Sequence, residues 1–307
     1  MSTEEQLQWE ARFARPAALS AFAAGLLLLA ATVILQTTLE DRENFEPLAD
    51  FLLSVDDSPG SLILQSAVQG LGALCLIPVF YFLFRATIHR VPQMPRWFVY
   101  LIFIGPVLYA VAQVLGAVQR IDVAEMFAAQ DYTLEDTDPP RLEQQCPAIR
   151  GELGDDCAQE LLADNASFAT ALPSLVGSVL VAFMYVMVPL RARRAGLLSP
   201  FMAILGVVAG VLLVLQLVPL VPIVLQAFWL GAIGALFLGN WPGGRGPAWE
   251  TGNADPWPSP AERRGLVTPR EDGEDAGGRN GGEPAAPAEA EPVPERPSSR
   301  KRKRKRR

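Results

Sequence analysis

Six glutamines interrupt otherwise apolar stretches of this 307-residue chain: Gln36, Gln65, Gln69, Gln113, Gln216 and Gln226. A carboxamide carries two donors and two acceptor lone pairs without charge, so it bonds neutral polar partners. Gln65 and Gln69 stand one helical turn apart and share a face. Two readings follow. Glutamines tie helices together, at about 0.6 kcal/mol per hydrogen bond, or Gln65, Gln69, Gln113 and Gln216 form a polar interior that takes a neutral or weakly polar solute. Two cysteines offer different chemistry. Cys146 and Cys157 lie in one acidic segment, and on the outer side of a membrane they would form a disulfide. A metal site is the rival, and two thiols without a nearby histidine serve it poorly. Cys75 sits in an apolar block and reads as a packing residue. The last eight residues, Arg300, Lys301, Arg302, Lys303, Arg304, Lys305, Arg306 and Arg307, are all cationic. Anionic lipid headgroups attract such a run at ~1 kcal/mol per residue. Nucleic acid is a weaker alternative partner, and the acidic stretch 271–295 is an intramolecular one.

Catalytic patterns are missing from the sequence. His89 is the only histidine. HExxH, GxSxG and GxxxxGK[ST] do not occur. The acidic cluster Glu135-Asp136-Thr137-Asp138 lacks the alternating ligands and central glycine of a calcium loop. The expectation is therefore no catalytic residue, no cofactor and no metal.

Elements long enough to position these residues come from the apolar blocks. Four blocks carry no charge: Pro16–Leu39, Ser58–Phe84, Trp97–Gln119 and Asn165–Leu190. Each exceeds the ~20 residues that cross a bilayer as a helix. A fifth, Ala195–Gly244, is uncharged for 50 residues, about 75 Å as one helix, so it must fold back. Pro219 and Pro222 mark the turn. Six spans result, at about 16–39, 60–84, 97–119, 167–190, 199–219 and 222–240, an all-α polytopic transmembrane bundle spanning 16–241. Pro78, Pro106, Pro173 and Pro189 are expected to kink their helices. Gly206 and Gly210 form a GxxxG that reads as internal packing. No ionisable residue falls well inside a span, which disfavours ion-coupled transport.

Charge sorts the connecting segments. Arg12 and Arg15, then Arg85, Arg90 and Arg96, then Arg191, Arg193 and Arg194, then Arg245 all fall on alternate loops. By the positive-inside rule these face the cytoplasm, with both termini. Segment 40–57 holds seven acids and segment 120–164 twelve, out of 33 in the chain, and both read as outer. In the longer one, 121–130 extends the third helix and 157–165 runs on into the fourth. Residues 1–15 form a cytoplasmic N-terminus. From 242 onward the chain reads as a disordered Pro/Gly-rich tail, with Trp241, Trp249 and Trp257 at headgroup level. The bias toward Arg, Ala, Gly and Pro suggests a GC-rich bacterial genome and hence a bacterial inner membrane.

The stretches FYFLFRATIHR (Phe80–Arg90) and WPGGRGPAW (Trp241–Trp249), with the six-helix layout, resemble uncharacterised bacterial integral membrane proteins of domain-of-unknown-function type, over about residues 12–260. That resemblance implies location and helix count only. The first functional expectation is a non-enzymatic membrane protein with an interaction or accessory role. A transporter or channel for a neutral or weakly polar solute comes second, and a membrane-embedded enzyme last. Oligomeric state is not legible.

Overall fold

A computed structural model describes residues 2–38, 48–92, 95–129, 152–165, 167–215, 220–242 and 244–258. The chain divides after Pro258, and every described residue lies in the first unit. Helices account for its regular structure: α1 Thr3–Thr38, α2 Leu48–Asp57, α3 Pro59–Leu74, α4 Leu76–Arg90, α5 Phe98–Ala128, α6 Glu152–Asp164, α7 Phe168–Arg194, α8 Pro200–Leu215, α9 Leu220–Leu238 and α10 Ala248–Thr251. No strand occurs among the described residues.

Five helical stretches are long and apolar enough to cross a membrane: Thr3–Thr37, Pro59–Arg90, Phe98–Ala128, Phe168–Arg194 and Val221–Leu238. Their outer faces are apolar. On α5, Phe103, Ile104, Val107, Val111, Val114, Leu115 and Val118 are all exposed, a stripe that water would not tolerate and lipid would. The chain is a membrane protein by this composition. The sixth apolar helix, α8, has 16 residues, about 24 Å against ~30 Å of hydrocarbon. It leaves the end where α7 stops and packs between α7 and α9.

Contacts close the helices into a ring in chain order, α1–α3–α5–α7–α8–α9 and back to α1. One helix lies within it. Pro78 has no N–H for the carbonyl of Leu74, so the second apolar block breaks at Cys75 into α3 and α4. The Cys75 carbonyl accepts instead from Ser20 Oγ of α1, 2.9 Å away. Past the break α4 turns inward, and Pro78 is its only exposed residue. Its rings reach every side. Phe80 meets Tyr185 of α7 and Trp229 of α9, Phe82 meets Trp9, Phe237 and Trp249, and Phe84 meets Phe98. α3, by contrast, stays in the wall, so on the α3 side of Cys75 the ring axis is unfilled.

Close backbone approach holds the ring. A Cβ on Gly177 would lie 2.7 Å from the Tyr109 nitrogen, so α5 and α7 touch there backbone to backbone. Gly206 faces Pro189 and Trp229, and Gly210 faces the Ala182 carbonyl and Tyr185, so the GxxxG of α8 packs within the chain.

Three expectations need correction. The N-terminus is not a separate segment: α1 begins at Thr3, because Ser2 and Glu5 form a reciprocal capping box (Ser2 N–H to Glu5 Oε2 2.8 Å, Glu5 N–H to Ser2 Oγ 3.3 Å). Segment 157–165 does not run into the next span. α6 ends at Asp164, and Ser167 Oγ caps α7 by accepting from the Thr170 N–H. The stretch after Trp241 folds back onto the helices as far as Pro258. Trp249 is 8 % exposed, stacks on Phe82 and donates from Nε1 to the Leu197 carbonyl at 2.9 Å. Burial with a satisfied indole N–H outweighs a place at the headgroups.

Candidate functional site: a polar cavity on the ring axis

The space left by α3 is a cavity of about 660 Å³. It lies toward the end where α2 and α6 cover α5. There Leu52, Val55, Leu62, Val123, Phe127 and Ala158 form a small second core, and Asp155 Oδ1 caps α2 by accepting from the Ala49 N–H at 2.9 Å.

Polar side chains from four ring helices line it, Thr32 of α1 among them. α3 contributes Gln65 and Gln69, α5 contributes Tyr109, Gln113, Gln119 and Arg120, and α7 contributes Thr170, Ser174 and Ser178. They are linked. Gln65 Nε2 donates to Gln69 Oε1 (2.9 Å) and Gln69 Nε2 donates to the Tyr109 hydroxyl (3.3 Å). Nearer the mouth, Gln119 Nε2 donates to the Asn165 carbonyl at 2.6 Å and Thr170 Oγ1 donates to Gln119 Oε1. This pair latches the α6–α7 turn to α5. Leu28, Ala31, Leu35, Leu162 and Ile223 supply apolar wall. Among the described residues the lining has no carboxylate, and Arg120 is its one cation.

Such a lining has donors and acceptors without an acid, base or activated nucleophile. Ser178 Oγ is turned back to the Leu175 carbonyl at 3.0 Å. His89 belongs to the last turn of α4, at the far end. The chemistry available is recognition by hydrogen bonding of an uncharged or anionic polar molecule.

Of the glutamines singled out in the sequence, Gln65, Gln69 and Gln113 come together here. Gln216 lies outside the described residues. Gln36 is exposed, and Gln226 lines a smaller cavity deeper in the bundle. In the sequence Gln119 and Arg120 end an apolar block, where a polar residue reads as a helix terminus. α5 continues to Ala128, which turns both inward. Cys146 and residues 300–307 lie outside the described residues, and so does the Cys157 side chain. Neither the disulfide nor the basic run has a described geometry.

At the opposite end, the elements expected to carry arginine converge. Arg90 is fully buried and Glu10 is 5 % exposed at the side chain. Arg90 Nη1 and Nη2 donate to Glu10 Oε1 and Oε2 at 2.6 and 3.0 Å, Nη1 also to the Ala86 carbonyl, and Nε and Nη2 to the Ala248 carbonyl. Gln6 Nε2 donates to Glu10 Oε1 at 2.8 Å. Arg245 bonds the Leu236 and Phe237 carbonyls at the end of α9. Burial holds its guanidinium below the usual arginine value, and Glu10 opposes that shift. Arg90 and Arg245 both lie over the Trp249 ring, at 5.8 and 5.9 Å. The sequence places no charge inside a span. The structure buries an ion pair at this end because α1 begins early and brings Glu10 to Arg90.

Comparison with protein-family models, with curated proteins and with solved structures returns no match. The site must speak through its own geometry.

Proposed function

We propose that this chain binds a small polar solute in the cavity on its ring axis, as a transporter, channel or receptor does. The observation that carries the reading is a cavity lined by Gln65, Gln69, Tyr109, Gln113, Gln119, Thr170 and Arg120, with no carboxylate among its described lining residues. Lining of that kind recognises hydroxyls, amides or an anionic group and repels cations. The test is a thermal-shift and calorimetric screen of the detergent-purified full chain against polyols, amides, carboxylates and amines. Binding that is lost in Gln65→Leu and Gln113→Leu, with the fold intact, supports the reading. A response confined to amines would refute it.

A six-span topology goes with this proposal, with α8 as a short fifth crossing. It is supported by the course of the chain: α7 ends and α9 ends near Arg90 and Trp249, so α8 must lead away from that end for α9 to return. With Arg85 and Arg90 in the last turns of α4, Arg191, Arg193 and Arg194 in the last turn of α7, and Arg245 after α9, all toward that end, the positive-inside rule puts it in the cytoplasm, with both termini, in a bacterial inner membrane. A second reading, the accessory role, rests on the eight cations at 300–307. In that reading they hold anionic lipid, and full-length chain should sediment with phosphatidylglycerol vesicles in a salt-sensitive way that residues 1–258 alone do not. Enzymatic activity is the least supported reading.

A further inference from the structure

Beneath the Gln69–Tyr109 pair lies a second cavity, of about 30 Å³. Leu28, Gln69 and Tyr109 line both spaces, so they form the partition, with Gln69 and Tyr109 its polar part. The polar groups below it are the Tyr185 hydroxyl and the Gln226 carboxamide; the rest of the wall is apolar. Tyr185 is 1 % exposed and its hydroxyl has no partner among the described residues. Gln226 is 7 % exposed and stands in the same wall. Buried polar groups are almost always paired. An unpaired hydroxyl at a small void, with a carboxamide in the same wall, marks a place that something polar fills. The floor is closed. Phe80, Tyr185 and Trp229 lie 5.0–5.9 Å apart, and Trp229 Nε1 is held by the Met202 carbonyl at 3.0 Å.

We propose that this void is an inner subsite of the same path, with Tyr109 as its door, and that it takes one uncharged hydrogen-bonding group. The inference rests on the cavity reading above. Tyr185 and Gln226 each donate and accept, and no charged side chain lines the void, so a hydroxyl or carboxamide fits and an ion does not. One water needs ~10–15 Å³, so the void admits a hydroxyl of the bound solute or, in its place, about two waters. Gly177 pins the Tyr109 backbone, which leaves rotation of the side chain as the way to open the partition.

The test uses the full-length chain in native membrane vesicles, with Cys75, Cys146 and Cys157 changed to Ser and one thiol introduced by Gln113→Cys or Gln226→Cys. Methyl methanethiosulfonate, small and uncharged, is the probe, read by mass spectrometry. The Gln113→Cys thiol should label readily and the Gln226→Cys thiol at least tenfold more slowly. Tyr109→Ala should remove most of that difference without changing the Gln113→Cys rate. Protection of the Gln226→Cys thiol by glycerol assigns the subsite to a solute hydroxyl; labelling without protection assigns it to water. Both outcomes uphold it. A Gln226→Cys thiol indifferent to Tyr109→Ala, beside a reactive Gln113→Cys thiol, overturns the subsite and leaves the outer cavity standing. An inert Gln113→Cys thiol refutes the cavity reading itself. Tyr185→Phe gives an independent check on the untouched pocket shape. If the hydroxyl is bonded in the subsite, its removal leaves the melting temperature unchanged or lower. A rise would mean a dry, unpaired hydroxyl and would also overturn the proposal.

Discussion

Replacing Arg90 with Met should unlock one whole end of the bundle. Arg90 is fully buried and joins three parts of the chain: Glu10 of α1, its own helix at Ala86, and Ala248 of α10. Removing it strands a carboxylate that is 5 % exposed, with only Gln6 Nε2 left as donor. Breaking a buried pair in this way costs about 3–5 kcal/mol. The Ala248 carbonyl loses both side-chain donors but keeps the Gly252 N–H, about 0.5–1.5 kcal/mol, and this term overlaps the first because α10 can detach. The Glu10→Leu/Arg90→Met double variant has no orphan charge and should recover most of the loss, leaving roughly the Ala248 share. Thermal unfolding in dodecyl maltoside, followed by tryptophan fluorescence, gives the three stabilities and the coupling between the sites. Tryptic cleavage after Arg245 gives a local readout, since that residue is held against α9 and Trp249. It should accelerate in Arg90→Met before global unfolding. The reasoning fails if Arg90→Met costs under about 1 kcal/mol, or if the double variant is no more stable than Arg90→Met, because a buried charge left alone cannot be that cheap.

Other outcomes follow from single contacts. Ser20→Ala should cost about 0.6–1.7 kcal/mol, the range of an interhelical hydrogen bond in a membrane, by releasing the Cys75 carbonyl; thermal melts check it. Gly177→Ala puts a methyl 2.7 Å from the Tyr109 nitrogen and should destabilise by about 1–3 kcal/mol. Gly231→Ala, with nothing within 4 Å of the new atom, should be neutral or stabilising by up to about 1 kcal/mol. The same melts compare the two signs. A chain ending at Pro258 should melt like the full length, whereas one ending at Trp241 loses Trp249 and about 3–5 kcal/mol.

Whatever rests on a run of apolar residues was legible. The uncharged blocks became α1, α3–α4, α5, α7 and the pair α8 and α9; Pro78 divides its block, while Pro106, Pro173 and Pro189 lie inside the continuous α5 and α7. Gln65, Gln69 and Gln113 faced inward because a carboxamide in hydrocarbon seeks a partner. Features that depend on charged residues becoming buried were not legible. Residues 3–15 look like a solvated leader until Ser2 and Glu5 cap them and Arg90 neutralises Glu10. α2 hides among seven acids, and only its Leu52 and Val55 face, set on Phe127 and Ala158, shows why it is a helix. Trp249 carried a usable signal, an arginine four residues before it in a Gly/Pro setting, but nothing local says that Phe82 waits for it.

The break at Cys75 connects these observations. One apolar block does two jobs because Pro78 divides it: α4 fills the ring axis with phenylalanines, and α3 leaves the axis open beside its glutamines. The two ends then differ in what holds them. At the Arg90 end, aromatic rings and a buried ion pair are interlocked, and movement there breaks several contacts at once. At the other end, Gln119, Thr170 and Asn165 latch the α6–α7 turn by hydrogen bonds that water can replace, and the α2–α6 cover rests on a few small apolar side chains. Local opening follows the weaker contacts. Solute exchange at the glutamine cavity therefore needs only the cover and the Gln119 latch to move. Passage to the Arg90 end needs Trp229 to leave Met202 and α4 to withdraw from the axis. Gln119→Leu should speed exchange without affecting the Arg90 end, and amide hydrogen exchange that rises in α6 and the start of α7 but not in α4 is the pattern that follows from this division.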